Sequence, residues 1–167
     1  MELGFYKYST EAYVPKLATE QAACFDLKAS LITGQTIKCY SSTNNLEELS
    51  VPDSKSIKLF PHYRYLIPTN LILDIPEGYS VRIHPRSGMA VKQGVALINC
   101  EGVIDSDYVL PLFIPLINFS SEIVFIQDGD RVAQAELVRS ESYELVHIKH
   151  PPQQKTSRTG GFGSTGA

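Results

Sequence analysis

The sequence predicts an all-β chain, a jelly-roll-like distorted β-barrel, on three observations. Apolar, β-branched runs of strand length recur along it, turn residues separate them, and no window sustains a helical period. Strands at this spacing without interleaved helices close as a barrel or a double-sheet jelly roll. With 167 residues, 43% of them hydrophobic, the chain can bury one core and is short for two.

The elements follow in order. Thr36–Tyr40 opens the series, and Ile57–Phe60, Tyr63–Ile67 and Leu71–Ile75 continue it. Pro76-Glu77-Gly78 makes a turn into Tyr79–His84, and Pro85 ends that ladder because it has no N–H to donate. Arg86–Val91 is the one stretch that could form a helical turn. Val95–Asn99 and Leu110–Asn118 come next, then a break from Asn118 to Ser121 before Glu122–Gln127. Asp128-Gly129-Asp130 turns the chain into Arg131–Val138, and Tyr143–Ile148 is the last expected strand.

Two segments depart from this texture. Ser41 to Ser56 is polar and turn-rich, an excursion between strands rather than a core element. From Pro151 onward almost no aliphatic residue remains, so that stretch cannot bury itself. The expected organisation is a β-barrel domain over 1–150, carrying the 41–56 excursion, and a mobile glycine-rich arm over 151–167.

Composition excludes several classes. A net charge of −3 gives no basic footprint for nucleic acid, and no apolar run is long enough to span a membrane. The N-terminus lacks the charged and apolar regions of a secretory signal. Cys24, Cys39 and Cys100 are odd in number and scattered, which fits neither a disulfide framework nor a zinc site. An intracellular, cytoplasmic location is the simplest expectation, in the host cell if the chain is viral.

Five strings carry candidate chemistry. In the tail, Arg158 precedes Gly160-Gly161-Phe162-Gly163-Ser164-Thr165-Gly166, which offers backbone amides and hydroxyls to phosphate, a cation, and one aromatic able to stack on a base. A plain disordered end is the alternative. His84-Pro85-Arg86-Ser87-Gly88 follows a strand and presents a cation, a hydroxyl and turn amides to an anion; a solvated turn is the alternative, with His84 structural. In Asn99-Cys100-Glu101-Gly102-Val103-Ile104-Asp105-Ser106-Asp107-Tyr108, Asp105 beside an apolar wall suits a general base for water, and Tyr108 can pack on a sugar. A hairpin with Asp as turn former is the alternative, and the commoner fate of Gly and Asp in such strings. Gly129-Asp130-Arg131-Val132-Ala133-Gln134 is weak by itself, since Asp130 and Arg131 can be a surface pair. In Ala22-Ala23-Cys24-Phe25-Asp26-Leu27 a lone carboxylate among small and apolar residues needs a partner: a metal-bound water, an Arg or amides.

Taken together and in order, these strings closely resemble the five motifs of the homotrimeric dUTPase family, from residue 22 to residue 166. The resemblance implies Mg²⁺-dependent hydrolysis of dUTP to dUMP and pyrophosphate by water attack on the α-phosphorus. Such an activity limits uracil incorporation into DNA and supplies dUMP for dTMP synthesis. It also implies a homotrimer with shared sites. By likeness, Asp105 binds the 3′-hydroxyl and activates the water, while Tyr108 lies on the deoxyribose. Asn99, Gly102, Val103 and Ile104 line the uracil pocket. Arg86, Ser87, Gly88 and Gln134 hold phosphates, and Asp26 contacts Mg²⁺ through water. Phe162 stacks on uracil, Arg158 acts at the γ-phosphate, and Gly163, Ser164 and Thr165 complete the closing arm.

The chain departs from the family pattern in four places. Cys24 and Phe25 stand where Gly and Tyr are usual, and Val109-Leu110 replace a polar-Gly pair after Tyr108. Arg158 lies one residue nearer Phe162 than usual, and the stretch between the first two motifs is longer, which makes 41–56 an insertion. Two other functions compete: a dCTP deaminase-like relative, disfavoured because the third motif lacks that group's glutamate pattern, and a regulatory protein that binds a protein partner through 41–56.

Overall fold

The computed structural model describes residues 1–157 and 160. Fourteen strands and one short helix run in the order β1 (Gly4–Lys7), β2 (Lys16–Leu17), β3 (Phe25–Lys28), β4 (Thr36–Tyr40), β5 (Leu46–Ser50), β6 (Ser56–Leu59), β7 (Arg64–Pro68), β8 (Leu71–Asp74), β9 (Tyr79–His84), α1 (Ser87–Gln93), β10 (Val95–Leu97), β11 (Gly102–Asp105), β12 (Phe113–Asn118), β13 (Val124–Gln127) and β14 (Arg131–Arg139). Two five-stranded antiparallel sheets, β10-β12-β7-β4-β5 and β11-β9-β14-β3-β2, are flanked by the ribbons β1-β8 and β13-β6. Inner residues of both sheets (Ile37, Ile67 and Ile114 from the first; Leu27, Val81 and Ala133 from the second) belong to one buried cluster. This is the jelly-roll-like all-β architecture that the strand spacing predicts.

Alternation explains the strands. Along β4, Ile37 and Cys39 point into the core while Thr36, Lys38 and Tyr40 face out, the period-two signature of a half-buried strand. At the Pro76–Gly78 turn, Tyr79 N–H donates to Pro76 O at 3.1 Å, and Gly78 takes a φ of 79° that disfavours side chains. Helix α1 extends the expected helical turn by two residues; Gly94, at φ 66°, stops it and donates its N–H to Ala90 O.

The expected strand over Tyr143–Ile148 does not form. β14 ends at Arg139, Ser140 N–H closes the sheet on Gly78 O at 2.8 Å, and Tyr143 and Leu145 are 80% and 89% exposed. An apolar alternation makes a strand only when an edge is there to pair with it. Conversely, the polar stretch 41–56 contains β5, paired to β4 from Thr36↔Ser50 to Tyr40↔Leu46. It is an outer edge strand with only Leu49 partly covered, so most of the excursion stays outside the core, although Val51 beyond it is fully buried. The described part of the arm, 151–157, is exposed and carries no strand. Among the described residues, no helix is long and apolar enough to cross a membrane.

Candidate active site

Three separate stretches of sequence meet at one end of the second sheet. β14 lies between β3 and β9, and Gln134 on it stands opposite both Asp26 of β3 and His84 of β9. Gln134 Nε2 donates to Pro85 O at 3.1 Å, which fixes the backbone just before Arg86. The guanidinium of Arg86 then reaches Asp26 Oδ1 at 3.2 Å, and Arg131 Nη1 approaches Asp26 Oδ2 at 3.4 Å. Asp26 and Arg86 are largely covered, whereas Arg131 is open to solvent. One carboxylate thus sits between two guanidinium groups.

A cavity of about 320 Å³ opens beside this cluster, lined by Arg86, Gly88, Lys92, Asp130 and Arg131 among others. Three cations stand here against two carboxylates, Asp130 in the lining and Asp26 behind the arginines, an excess of positive charge that suits an anion. At its floor Arg86 caps α1 without a side-chain bond, and the first helical bond is Ala90 N–H to Arg86 O. The amides of Ser87, Gly88 and Met89 therefore have no acceptor within the helix. The sequence marks Arg131 only as a member of a surface pair and does not mark Lys92. Lys92 is four residues after Gly88 on a helix, a spacing that places the two on one face. The surface pair Asp130–Arg131 that sequence adjacency suggests does not form: Asp130 Oδ2 accepts from Gln127 N–H at 2.8 Å, and Arg131 turns to Asp26.

The third motif builds a different feature. The chain leaves the first sheet at Leu97, crosses through Ile98–Glu101 and enters the second sheet at Gly102, which pairs with Ile83. Cys100 holds a φ of 61°, and Glu101 N–H donates to Asn99 O at 2.6 Å, so the crossing is tight. A left-handed conformation at a non-glycine residue costs about 1–2 kcal/mol and persists only where the surroundings fix it. Gly102 is buried; a Cβ there would lie 3.1 Å from Ile83 Cβ and 3.6 Å from Asn99 Nδ2. Val103 and Asp105 are exposed along β11, Ile104 packs partly against the core, and Asp105 pairs in register with Ser80. Tyr108 N–H donates to Asp105 O at 3.1 Å, and its hydroxyl donates to Pro111 O at 3.3 Å, which holds the ring beside the Asp105 turn.

The structure thus joins Asp26, Arg86 and Gln134 next to Ser87 and Gly88, and separately joins Asn99, Gly102, Val103, Ile104, Asp105 and Tyr108. It does not join the two groups around one point. Asp105 lies across from Ser80, four strand steps from His84, or on the order of 13 Å from the Arg86 end. His84 has a structural setting: Nε2 is 3.1 Å from Glu136 and Nδ1 is 3.8 Å from Glu101. The Cys24 thiol is pushed up by burial and by the charge of Glu136, so it stays protonated near neutral pH. Arg158, Phe162, Gly163, Ser164 and Thr165 lie outside the described residues.

The donor set also bears on a metal. Among the described residues no group of three or more His, Cys, Asp or Glu side chains could hold an ion. Asp26 is a single carboxylate, and it is already shared by two arginines. These residues fit an ion that arrives with its own ligands and makes an outer contact, and they do not fit an ion bound by the protein alone.

Comparison with known proteins gives the family. The dUTPase family model matches residues 48–166. A protein of Finegoldia magna named deoxyuridine 5′-triphosphate nucleotidohydrolase is 43% identical over 120 residues, 71% of this chain and 82% of that protein. One of the same name from Caulobacter vibrioides is 37% identical over 153 residues, 92% of this chain and 85% of that protein. A solved structure of the Staphylococcus bacteriophage 80alpha dUTPase, a G164S mutant with dUpNHpp, superposes with a TM-score of 0.77 at 20% identity and covers 99% of both chains. That last likeness speaks to the fold. With a family model over most of its length and a relative 37% identical over 92% of it, this chain belongs to the dUTPase family.

Proposed function

We propose that the chain hydrolyses dUTP to dUMP and pyrophosphate by attack of water on the α-phosphorus. The observation that carries this is the meeting of Asp26, Arg86, Arg131 and Gln134 from two strands and a helix start, beside a cationic cavity sized for a phosphate chain. Arg86, with the amides of Ser87 and Gly88, binds phosphate oxygens, and Gln134 keeps Arg86 aimed. Asp105 takes a proton from the attacking water and accepts the sugar 3′-hydroxyl, while Tyr108 covers the sugar. Asn99, Gly102, Val103 and Ile104 form the base pocket, where a wrong base leaves polar groups unpaired.

Mg²⁺ carried by the triphosphate neutralises its charge when bound, and Asp26 is the residue that orients its water shell. The separation of Asp105 from the Arg86 end supports a site shared between copies of the chain, as a homotrimer provides. We further infer that residues 1–150 form the catalytic domain and 151–167 an arm that closes over bound nucleotide. In it Phe162 stacks on uracil, Arg158 reaches the γ-phosphate, and Gly163, Ser164 and Thr165 line the phosphates. Exclusion of water by such an arm strengthens each charged contact. The pathway role is to lower dUTP and supply dUMP, in an intracellular compartment.

The test is pyrophosphate release from each deoxynucleoside triphosphate, with and without Mg²⁺, alongside a solution mass. Release from dUTP alone, dependent on Mg²⁺, by a particle three chains in mass is expected. Ammonia release from dCTP without pyrophosphate release from dUTP would place the chain with the deaminases. A protein partner at 41–56 is supported by the exposed edge strand β5; loss of a captured partner on deleting the hairpin tip, with hydrolysis unchanged, checks it.

A further inference from the structure

The outer face of the second sheet carries a charged group that the reading above does not use. Arg82 and His84, two apart on β9, project to the same side. Glu136 of β14 is the register partner of Arg82 and also lies 3.1 Å from His84 Nε2. Continuing the β11–β9 register one step beyond Gly102↔Ile83 puts Glu101 across from His84. Its carboxylate is 3.3 Å from Arg82 Nη1 and 3.8 Å from His84 Nδ1.

Glu101 is also the last residue of the crossing Ile98–Glu101. Among the described residues, its carboxylate makes the only side-chain hydrogen bond or ion pair of that crossing; the other supports are main-chain bonds such as Ile98 N–H to Pro115 O at 3.0 Å and Cys100 N–H to Leu97 O at 3.4 Å. The crossing holds Cys100 in the left-handed region and sets the position of Asn99 against Gly102. A pair this exposed contributes little to global stability, so its consequence is geometric.

We propose that Glu101 is a positioning residue for base selection: held by Arg82 beside His84, it keeps the Asn99–Gly102 crossing in the shape that accepts one pyrimidine and refuses another. This inference rests on the assignment of that crossing to the base pocket. Asp105 lies at the far end of β11 from Glu101, so the hydrolytic step itself is not what Glu101 controls.

The experiment measures KM and kcat for dUTP and dCTP, with melting temperature, for the full chain and for Glu101→Ala, Glu101→Gln, Arg82→Ala, the double variant Glu101→Ala/Arg82→Ala, and Asn99→Ala. In Glu101→Ala, KM for dUTP is expected to rise about tenfold with kcat within about twofold, and the preference over dCTP to narrow by about tenfold. Glu101→Gln, whose amide oxygen still accepts from Arg82, is expected to restore most of the loss. The double variant should be no worse than Glu101→Ala, because the two groups act as one contact. Unchanged KM and preference in Glu101→Ala, with a raised KM in Asn99→Ala, would overturn the positioning role and leave the pocket assignment standing. If neither variant changes KM, the pocket assignment fails and the proposal with it. A fall in melting temperature and kcat without a change in preference would make Glu101 merely structural and also overturn the proposal.

Discussion

The carboxylate of Asp26 meets the guanidinium of Arg86 at 3.2 Å, in front of the strand that separates β3 from β9. Both side chains are mostly covered, so neutralising one leaves the other poorly compensated. Asp26→Asn is expected to lower stability by about 1–2 kcal/mol and to raise the Mg²⁺ concentration for half-maximal rate about tenfold. A Mg²⁺ titration of pyrophosphate release checks it, and an unshifted midpoint would remove Asp26 from the metal's surroundings.

Asp105→Asn keeps the size and register of the side chain on β11 but removes its capacity to take a proton. Turnover should fall by two or more orders of magnitude, roughly the contribution of a positioned base, with KM within about threefold. Near-normal turnover would mean that another group activates the water.

Gly102→Ala introduces a Cβ 3.1 Å from that of Ile83, tighter than ordinary packing permits. The crossing before it must shift by a few tenths of an ångström, at a cost of about 1–3 kcal/mol. KM for dUTP should rise while the variant still unfolds cooperatively; crystallographic or kinetic identity with the parent chain would show that the pocket does not need this close approach.

Alkaline stability gives an independent reading of the core. Burial pushes the Tyr65 hydroxyl up to about 12, while the Phe60 N–H it accepts at 2.8 Å pulls the other way. Since the folded value lies above the ordinary one near 10, this group's stabilising contribution is whole below pH 10 and is lost as pH rises toward 12. About 2–3 kcal/mol is at stake over that window. Tyr65→Phe should start about 1–3 kcal/mol less stable at pH 7, because the Phe60 amide loses its acceptor, and should then show a flatter alkaline limb. Parallel loss in both proteins, followed by urea unfolding, would assign the decline to other groups.

A chain ending at Ser157 should melt within about 2 °C of the full chain, since the removed sequence carries almost no aliphatic side chain to bury, and should lose most of its dUTP hydrolysis. Retained hydrolysis would remove the arm from the active site.

Much of the fold was legible because period-two alternation survives burial on one face. Thr36–Tyr40 and Tyr79–His84 form strands at the expected bounds, and Arg131–Val138 is extended by one residue. The strands that escaped, β1, β2, β3, β5 and β11, are short or polar, and four of the five lie at the edge of a sheet or in a ribbon, where few side chains need be apolar. β3 is the instructive case, since its Asp26 was visible as a lone carboxylate while its strand was not. In the site, the motif residues could be named in advance, but their partners could not. Neighbours in a strand point to opposite faces, so adjacency of Asp130 and Arg131 misled, whereas the bond from Arg131 to Asp26 depends on β14 lying beside β3.

That placement of β14 also orders the protein's birth. Among the described residues it is the last strand in chain order, yet it fills the middle of its sheet, between two strands made much earlier. A nascent chain halted before residue 131 has Asp26 and Arg86 on strands with no shared neighbour, and neither Gln134 nor Arg131 to link them. The cluster of one carboxylate between two guanidinium groups therefore cannot exist before β14 is in place, and its assembly waits on that strand.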